Sequence, residues 1–70
     1  MTKYEQISKA FTDHPSKGDQ PERYQLIRRE AKILAKTLVE KCPESRELSL
    51  ALTKLEESLM WANAAIARNE

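Results

Sequence analysis

Apolar side chains recur at helical spacing in three stretches of the chain, and the first stretch covers residues 2–12. The apolar residues that share one helical face here are Tyr4, Ile7, Ala10 and Phe11. Thr2 and Glu5 have the spacing of a capping box, in which each side chain accepts a backbone N–H of the other residue. The pattern therefore predicts a short first helix that begins at Thr2.

Residues 13–19, with the sequence DHPSKGD, separate the first apolar stretch from the second. Proline, glycine and aspartate favour turns for different physical reasons, so this segment is predicted to be a loop. Asp19 and Glu22 repeat the spacing of a capping box. We therefore expect the second helix to begin near Gln20, with Asp19 as its cap.

The second helix is predicted to run to about Lys41, because its apolar positions keep a spacing of three and four residues. The residues on this stripe are Tyr24, Ile27, Ala31, Leu34, Leu38 and Cys42. Leu26 and Ile33 lie off the stripe. Two interpretations of this pair stay open, since they are either scattered surface residues or part of a second apolar seam.

Residues 42–45, CPES, interrupt the helical pattern. Proline disfavours helix in the residue before it and is tolerated in the first turn after it, so the third helix is expected to begin between Pro43 and Arg46. It is predicted to end at about Arg68. Its heptad-like stripe comprises Leu48, Leu52, Leu55, Leu59, Ala62 and Ile66. The short link makes the two long helices antiparallel neighbours in an αα-hairpin.

The third helix carries a second apolar face. At about 100° per residue, the side opposite the heptad stripe holds Leu50, Met60, Trp61, Ala64 and Ala65. One interpretation is that the first helix folds back over Trp61 in a three-helix monomer. The other is that this face is an interface between copies of the chain, which the alanines favour because small side chains let helices approach closely.

The predicted fold class is therefore all-α, with a short N-terminal helix followed by a long antiparallel hairpin that assembles as a helical homo-oligomer. Residues 1–70 are expected to form a single domain, with the N-terminal helix and loop in 1–19 and the hairpin in 20–70. A chain of 70 residues has a marginal core and usually gains stability from disulfides, a metal or an oligomeric interface. Cys42 is the sole cysteine, so an internal disulfide is excluded, and we expect Cys42 to be a small buried residue.

The net charge and composition of the chain argue against several classes of protein function. The net charge of +1 lacks the basic excess of a protein that binds duplex nucleic acid. The polar N-terminus is unlike a signal peptide, and no apolar run is long enough to span a membrane, so a soluble cytosolic protein is expected. His14 has no cysteine or serine pattern beside it, and adjacent Glu56 and Glu57 point to different sides of a helix. We therefore expect no catalytic residue, metal or cofactor.

The polar constellation most suited to a ligand lies between the first two helices. Its members are Phe11, His14, Lys17, Gly18, Arg23 and Tyr24. Aromatic rings stack on bases, cations meet phosphates, and a helix N-terminus offers free N–H donors. A second basic group consists of Arg28, Arg29, Arg46 and Arg68. The alternative is that Phe11 and Tyr24 are core residues, Lys17 is solvated, and His14 belongs to a simple turn.

The run PERYQLIRREAKILAKTLVEKCPESRELSLALTKLEESLMWANAAIARN, residues 21–69, resembles the helical hairpin of phage anti-CBASS sponge proteins. The densest part of the resemblance is SRELSLALTKLEESLMWANAAIARN, and the first helix and HP turn match more loosely. The hairpin is also similar to that of phage sponges that act against Thoeris defence. The resemblance covers both long helices and is specific in order and spacing.

The resemblance implies a binding protein and not an enzyme. Such sponges hold cyclic oligonucleotide second messengers intact in the cytoplasm of an infected bacterial host, so that the immune effector is not activated. It implies a compact homohexamer with cyclic dinucleotides, such as cyclic GMP–AMP, between neighbouring protomers. The N-terminal helices and the start of the hairpin would form these pockets. Some members also bind cyclic trinucleotides near three-fold axes.

The resemblance also implies roles for particular residues, and each of two roles has two candidate residues. The family stacks a base on an aromatic residue near the N-terminus, which here is Tyr4 or Phe11. A basic residue meets a phosphate, which here is Lys17 or Arg23. The matched hairpin residues that indicate assembly are Leu52, Leu55, Trp61 and Ala62. A competing hypothesis is a helical adapter that binds a partner protein through the face from Leu50 to Trp61, and a third, a nucleic-acid-binding domain, is disfavoured by the charge.

Overall fold

The computed structural model describes residues 2–70, and three helices account for most of this part of the chain. Helix α1 spans Lys3–Phe11, α2 spans Gln20–Lys41 and α3 spans Arg46–Asn69. The all-α architecture of a short helix followed by a long hairpin is as predicted. The ends of α2 and α3 fall within one residue of the positions that the sequence pattern predicts.

Two of the helix starts have side-chain caps. At α1, Thr2 Oγ1 accepts the Glu5 N–H at 3.1 Å, and the Glu5 carboxylate accepts the Thr2 N–H at 3.4 Å, which completes the predicted capping box. At α3, Ser45 Oγ accepts the Leu48 N–H at 3.1 Å. The three hydrogen bonds pair donors that a helix start otherwise leaves unsatisfied.

The predicted capping box at the start of α2 is wrong. Asp19 precedes the helix, but its side chain makes no cap hydrogen bond. The carboxylate lies 3.2 Å from Arg23 Nε instead, so an ion pair one turn along the helix replaces the cap. The helix still begins at Gln20 because Pro21, in its first turn, has a backbone φ already suited to a helix.

Helices α2 and α3 pack side by side as the expected hairpin. The six residues of the α3 stripe are half-buried, namely Leu48, Leu52, Leu55, Leu59, Ala62 and Ile66. On α2, Leu34 was expected on the same seam but is 47 % exposed, and the neighbouring Ala35 is half-buried in its place. The small Ala35 leaves an open space of about 420 Å³ between the helices, which Ala31 and Leu52 also line.

Among the described residues, the one extensive contact between helices is that of α2 with α3. The molecule measures 44 × 28 × 15 Å. The shortest dimension is about what the backbones of two packed helices span, since packed helix axes lie about 8–10 Å apart. One pair of packed helices cannot enclose a core, and none of the hydrophobic residues in the described part of the chain is fully buried.

The small number of contacts between helices also corrects two expectations about buried residues. Cys42 is exposed, because it follows the last residue of α2 at the turn end of the hairpin. The three-helix interpretation is wrong as well, since α1 leaves Trp61 61 % exposed. Large hydrophobic residues with more than two fifths of their surface exposed are Tyr4, Ile7, Phe11, Leu26, Ile33, Leu34, Val39, Leu50, Met60 and Trp61.

Candidate functional site

An open groove of about 400 Å³ lies where α1, the following loop, the start of α2 and the end of α3 meet. Four predicted ligand residues reach it from three separate segments, and they are His14, Tyr24, Arg28 and Arg68. The other lining residues are Lys9, Ala10, Asn63, Ala64 and Ala67. The fold therefore brings together an aromatic ring, an imidazole and three cationic side chains around one concave surface.

Tyr24 and Arg28 lie one turn apart on α2, so both side chains project from the same face. Tyr24 is half-buried and Arg28 is exposed. Tyr24 is half-buried like the residues of the hairpin seam, so packing within the chain and contact with a ligand both stay interpretations of this side chain. A ring face beside a guanidinium is the combination that binds a base and its phosphate together.

His14 fixes the loop that follows α1. Its Nε2 lies 2.8 Å from the carbonyl oxygen of Lys9. Because a carbonyl oxygen only accepts, Nε2 donates in this contact, and Nδ1 is left as an acceptor when the ring is neutral. The half-buried imidazole thus closes the end of α1 against the groove and keeps one ring nitrogen for another donor.

Arg68 joins the groove to the second apolar face of α3. Its guanidinium carbon lies 5.9 Å from the centroid of the Trp61 ring, within the range of a cation–π interaction. Trp61 and Arg68 are seven residues apart on one helix, which places them on the same side. The interaction holds Arg68 beside the groove while the indole remains largely exposed.

Asn63 is a lining residue that sequence reasoning missed. Its Oδ1 is shielded from solvent and has no hydrogen-bond partner among residues 2–70. A shielded acceptor without a donor is unfavourable, so the position suits a group that brings its own N–H or O–H. The available signal was its position, since Asn63 and Arg68 are the polar interruptions of LMWANAAIAR.

Lys17, Gly18 and Arg23 lie outside the residues that line the groove. Lys17 and Gly18 belong to the turn before α2, and Arg23 lies near the start of that helix. Gly18 has a φ of +58°, a left-handed conformation that residues with a Cβ rarely adopt. This turn leads directly into Gln20 at the start of α2. The predicted phosphate-binding residues Lys17 and Arg23 thus flank the first turn of that helix.

Both cations contact Glu70, the residue after α3. Lys17 Nζ donates to the main-chain oxygen of Glu70 at 2.6 Å, and Arg23 Nη1 donates to Glu70 Oε2 at 2.9 Å. Arg23 Nη2 donates to the other carboxylate oxygen, which makes the pair bidentate. These hydrogen bonds from Arg23 lower the pKa of Glu70 against the opposing effect of burial, and the Glu70 carboxylate in turn raises the pKa of Arg23.

Tyr4 and Phe11 are on α1 but do not line the groove, and their side chains are 86 % and 85 % exposed. The alternative of a core role for Phe11 within one chain is therefore wrong. Arg29 and Arg46 are exposed and also lie outside the groove. Two aromatic rings on the solvent side of α1 are free to contact a molecule or a chain that approaches from outside.

One known protein family matches nearly the whole length of the chain. The family model described as the Acb2/Tad1 hairpin domain matches residues 3–67, which include α1, α2 and nearly all of α3. The chain belongs to this family. No curated protein and no solved structure matches the sequence.

Membership of the Acb2/Tad1 hairpin family confirms the predicted relationship to anti-CBASS and anti-Thoeris sponges. Proteins of this family sequester cyclic nucleotide signals, and they are binding proteins and not enzymes. Within residues 2–70, no group of three or more His, Cys, Asp or Glu side chains is arranged to hold a metal ion. No helix in the same part of the chain has the length and hydropathy needed to cross a membrane.

Proposed function

We propose that the protein sequesters cyclic dinucleotide immune messengers, such as cyclic GMP–AMP, without cleaving them and so prevents activation of CBASS effectors. The supporting observation is the convergence of Tyr24, Arg28, His14 and Arg68 on one groove. Cyclic trinucleotides are proposed as further ligands. The place of action is the cytoplasm of an infected bacterial host, and residues 1–70 act as a single helical domain.

The groove has the groups that a cyclic dinucleotide needs. The ligand carries two bases and two phosphates, and these match an aromatic face and cationic side chains respectively. Tyr24, Arg28 and Arg68 line the groove. In the proposal, Tyr24 stacks on a base, while Arg28 and Arg68 meet phosphate oxygens. The free acceptor of Asn63 suits an N–H or O–H of the ligand. None of these contacts requires a group that breaks a bond.

An open groove covers only one side of a ligand, so we propose that a second copy of the chain supplies the other wall. The exposed rings of Tyr4 and Phe11 are suited to stack from that copy. An interface with two-fold symmetry repeats the same pocket wall twice, as a ligand with two similar halves requires. The proposed assembly is a homohexamer, in which the exposed apolar faces of α2 and α3 pack against neighbouring copies.

Calorimetric titration with cyclic GMP–AMP and with cyclic tri-adenylate tests this function. The wild-type protein should bind, and the ligand recovered after denaturation should be chemically unchanged. Arg28→Ala should weaken dinucleotide binding by about tenfold or more, because a charged hydrogen bond contributes about 1.5–3 kcal/mol. Arg29→Ala is the matched control, since the adjacent arginine lies outside the groove and its loss should leave affinity unchanged.

Two results would contradict the proposal. Absence of heat and of a thermal shift with both ligands would remove the binding function, and a clean monomer in light scattering would remove the assembly. Either result favours the second candidate, an adapter that binds a partner protein. That candidate has its own support in the exposure of Leu50 and Trp61, at 44 % and 61 %.

A further inference from the structure

Three polar side chains around the start of α2 contact Glu70, two of them at its carboxylate and one at its main-chain oxygen. Arg23 contacts both carboxylate oxygens, and Gln20 Nε2 donates to Oε1 at 3.4 Å. Lys17 Nζ contacts the main-chain oxygen of the same residue at 2.6 Å. The cluster lies at a helix N-terminus, where the helix dipole also favours negative charge.

Gln20 has an unusual position within this cluster. It is 4 % exposed and is the one fully buried residue among those described. Its Oε1 accepts the Lys17 N–H at 3.2 Å, which orients the amide so that Nε2 points to Glu70. A buried amide fixed in this way is a preorganised donor, in contrast to a surface lysine that moves freely.

We infer that Gln20 and Arg23 form an anion site, with Lys17 beside it, that the Glu70 side chain fills in the free protein and that a ligand phosphate takes over. The inference rests on the proposed function, and in it Glu70 competes with the ligand phosphate for one binding site. A guanidinium fork that fits two carboxylate oxygens fits two phosphate oxygens equally well. The affinity of the site for an external anion therefore depends on how strongly it holds the Glu70 carboxylate.

Displacement of Glu70 requires little rearrangement. Glu70 follows Asn69, the last residue of α3, so its side chain can rotate away without breaking a helical hydrogen bond. Its side chain is 42 % exposed and that of Arg23 is 36 % exposed, so solvent and an external anion can reach both groups. Asn69 keeps the helix end in place, because its side chain bonds to Lys9 at 3.0 Å and to the Ala65 carbonyl at 2.9 Å.

The first test uses inorganic pyrophosphate and follows the side-chain amide resonance of Gln20 by NMR. Glu70→Gln removes the competing charge and should tighten pyrophosphate binding at this resonance by about fivefold, the factor equivalent to a strong exposed ion pair. Glu57→Gln is the matched control. It removes the same charge from an exposed pair with Lys54, and it should leave the affinity unchanged.

A second variant distinguishes the loss of the Glu70 contact from a folding defect. Glu70→Asp keeps the charge but shortens the side chain, so it should loosen the contact with Arg23 and tighten pyrophosphate binding to a smaller extent. Adding Arg23→Gln to Glu70→Gln should abolish the gain. Equal or weaker pyrophosphate binding by both Glu70 variants, with normal helical circular dichroism, would overturn the inference and assign Glu70 a purely structural role.

The same variants with cyclic GMP–AMP distinguish this inference from the proposed function. If both hold, Glu70→Gln also binds the cyclic dinucleotide more tightly than the wild type. If neither protein binds the dinucleotide but pyrophosphate still gains affinity, the anion site stands and the proposed ligand is wrong. If the wild type binds the dinucleotide and Glu70→Gln gives no gain with either probe, the function stands and the competition is refuted.

Discussion

The two ends of the hairpin are held by different kinds of contact. At the turn end, residues 42–45, hydrogen bonds are local. Ser45 Oγ accepts from Leu48 N at 3.1 Å and donates to the Pro43 carbonyl at 3.0 Å. At the open end, where α1 and the loop meet the end of α3, side chains from distant parts of the sequence pair. Lys9 bonds to Asn69 across 60 residues, and Lys17 bonds to Glu70 across 53.

This difference indicates that the turn end contributes to stability and the open end to ligand binding. The hydrogen bonds of Ser45 at the turn end join residues at most four positions apart. The open end gathers cations, an aromatic ring and an unpaired acceptor, and its charged contacts are partly exposed. Exposed ion pairs contribute little stability and exchange readily, which suits a site that must open for a ligand. The turn end fixes the hairpin, and the open end is left adaptable.

The largest expected effect is at the open end, on the exposed face of α3. Trp61→Ala should dissociate the proposed assembly, because removal of a large ring from an interface costs about 3 kcal/mol or more. Trp61→Phe keeps most of the apolar area and should retain the assembly. Val39→Ala, near the turn end and also exposed, should have a smaller effect because it removes much less area. Light scattering after size-exclusion chromatography measures each mass, and an unchanged mass for Trp61→Ala would contradict the assembly face.

Next in size is the loss of a helix cap. Ser45→Ala should lower the free energy of unfolding by about 1 kcal/mol, since the Leu48 N–H then loses its partner. Thr2→Ala removes the corresponding cap of α1. Because α1 has few contacts with the hairpin, this change should fray α1 locally and alter global unfolding less. Urea denaturation followed by circular dichroism compares the two, and equal losses would show that α1 unfolds together with the hairpin.

The same division explains which features the sequence could predict. The helix boundaries and the capping box at Thr2 depend on neighbours a few residues away, so local patterns were sufficient. The cap at Asp19 was predicted wrongly because Arg23 competes for its carboxylate. The prediction that Cys42 is buried is wrong, because the apolar pattern gives the helical face of a residue but does not show where the packed part of that helix ends.

The candidate site was predictable in composition but not in arrangement. Residue chemistry was enough to select Tyr24, Arg28 and Arg68, which the fold brings to one groove. Gln20 and Glu70 were missed, since their contact spans 50 residues and no local pattern records it. Asn63 was visible only as a polar break in an apolar run, and its lack of a partner is a property of the folded chain.

The smallest expected effect is the pH response of the contact between Arg23 and Glu70. The charged groups around Glu70 are Lys17 and Arg23, with Asp19 on the far side of Arg23. Arg23 lowers the pKa of Glu70 below its ordinary value of 4.5, chiefly by hydrogen bonding. A lowered carboxylate pKa means that the folded state favours the ionised form. The stabilisation is therefore present above pH 4.5 and is lost as pH falls through the lowered pKa.

A carboxyl-detected NMR titration of Glu70 measures this shift directly. The wild-type midpoint should lie below that of Arg23→Gln, in which the largest cause of the shift is removed and the Glu70 pKa should return toward its ordinary range. The pKa of Arg23 is raised from an already high value, so Arg23 stays charged throughout the titration and contributes no midpoint of its own. Identical midpoints in the two proteins would mean that the ion pair between Arg23 and Glu70 is absent in solution. Glu70 would then not occupy the anion site at the open end.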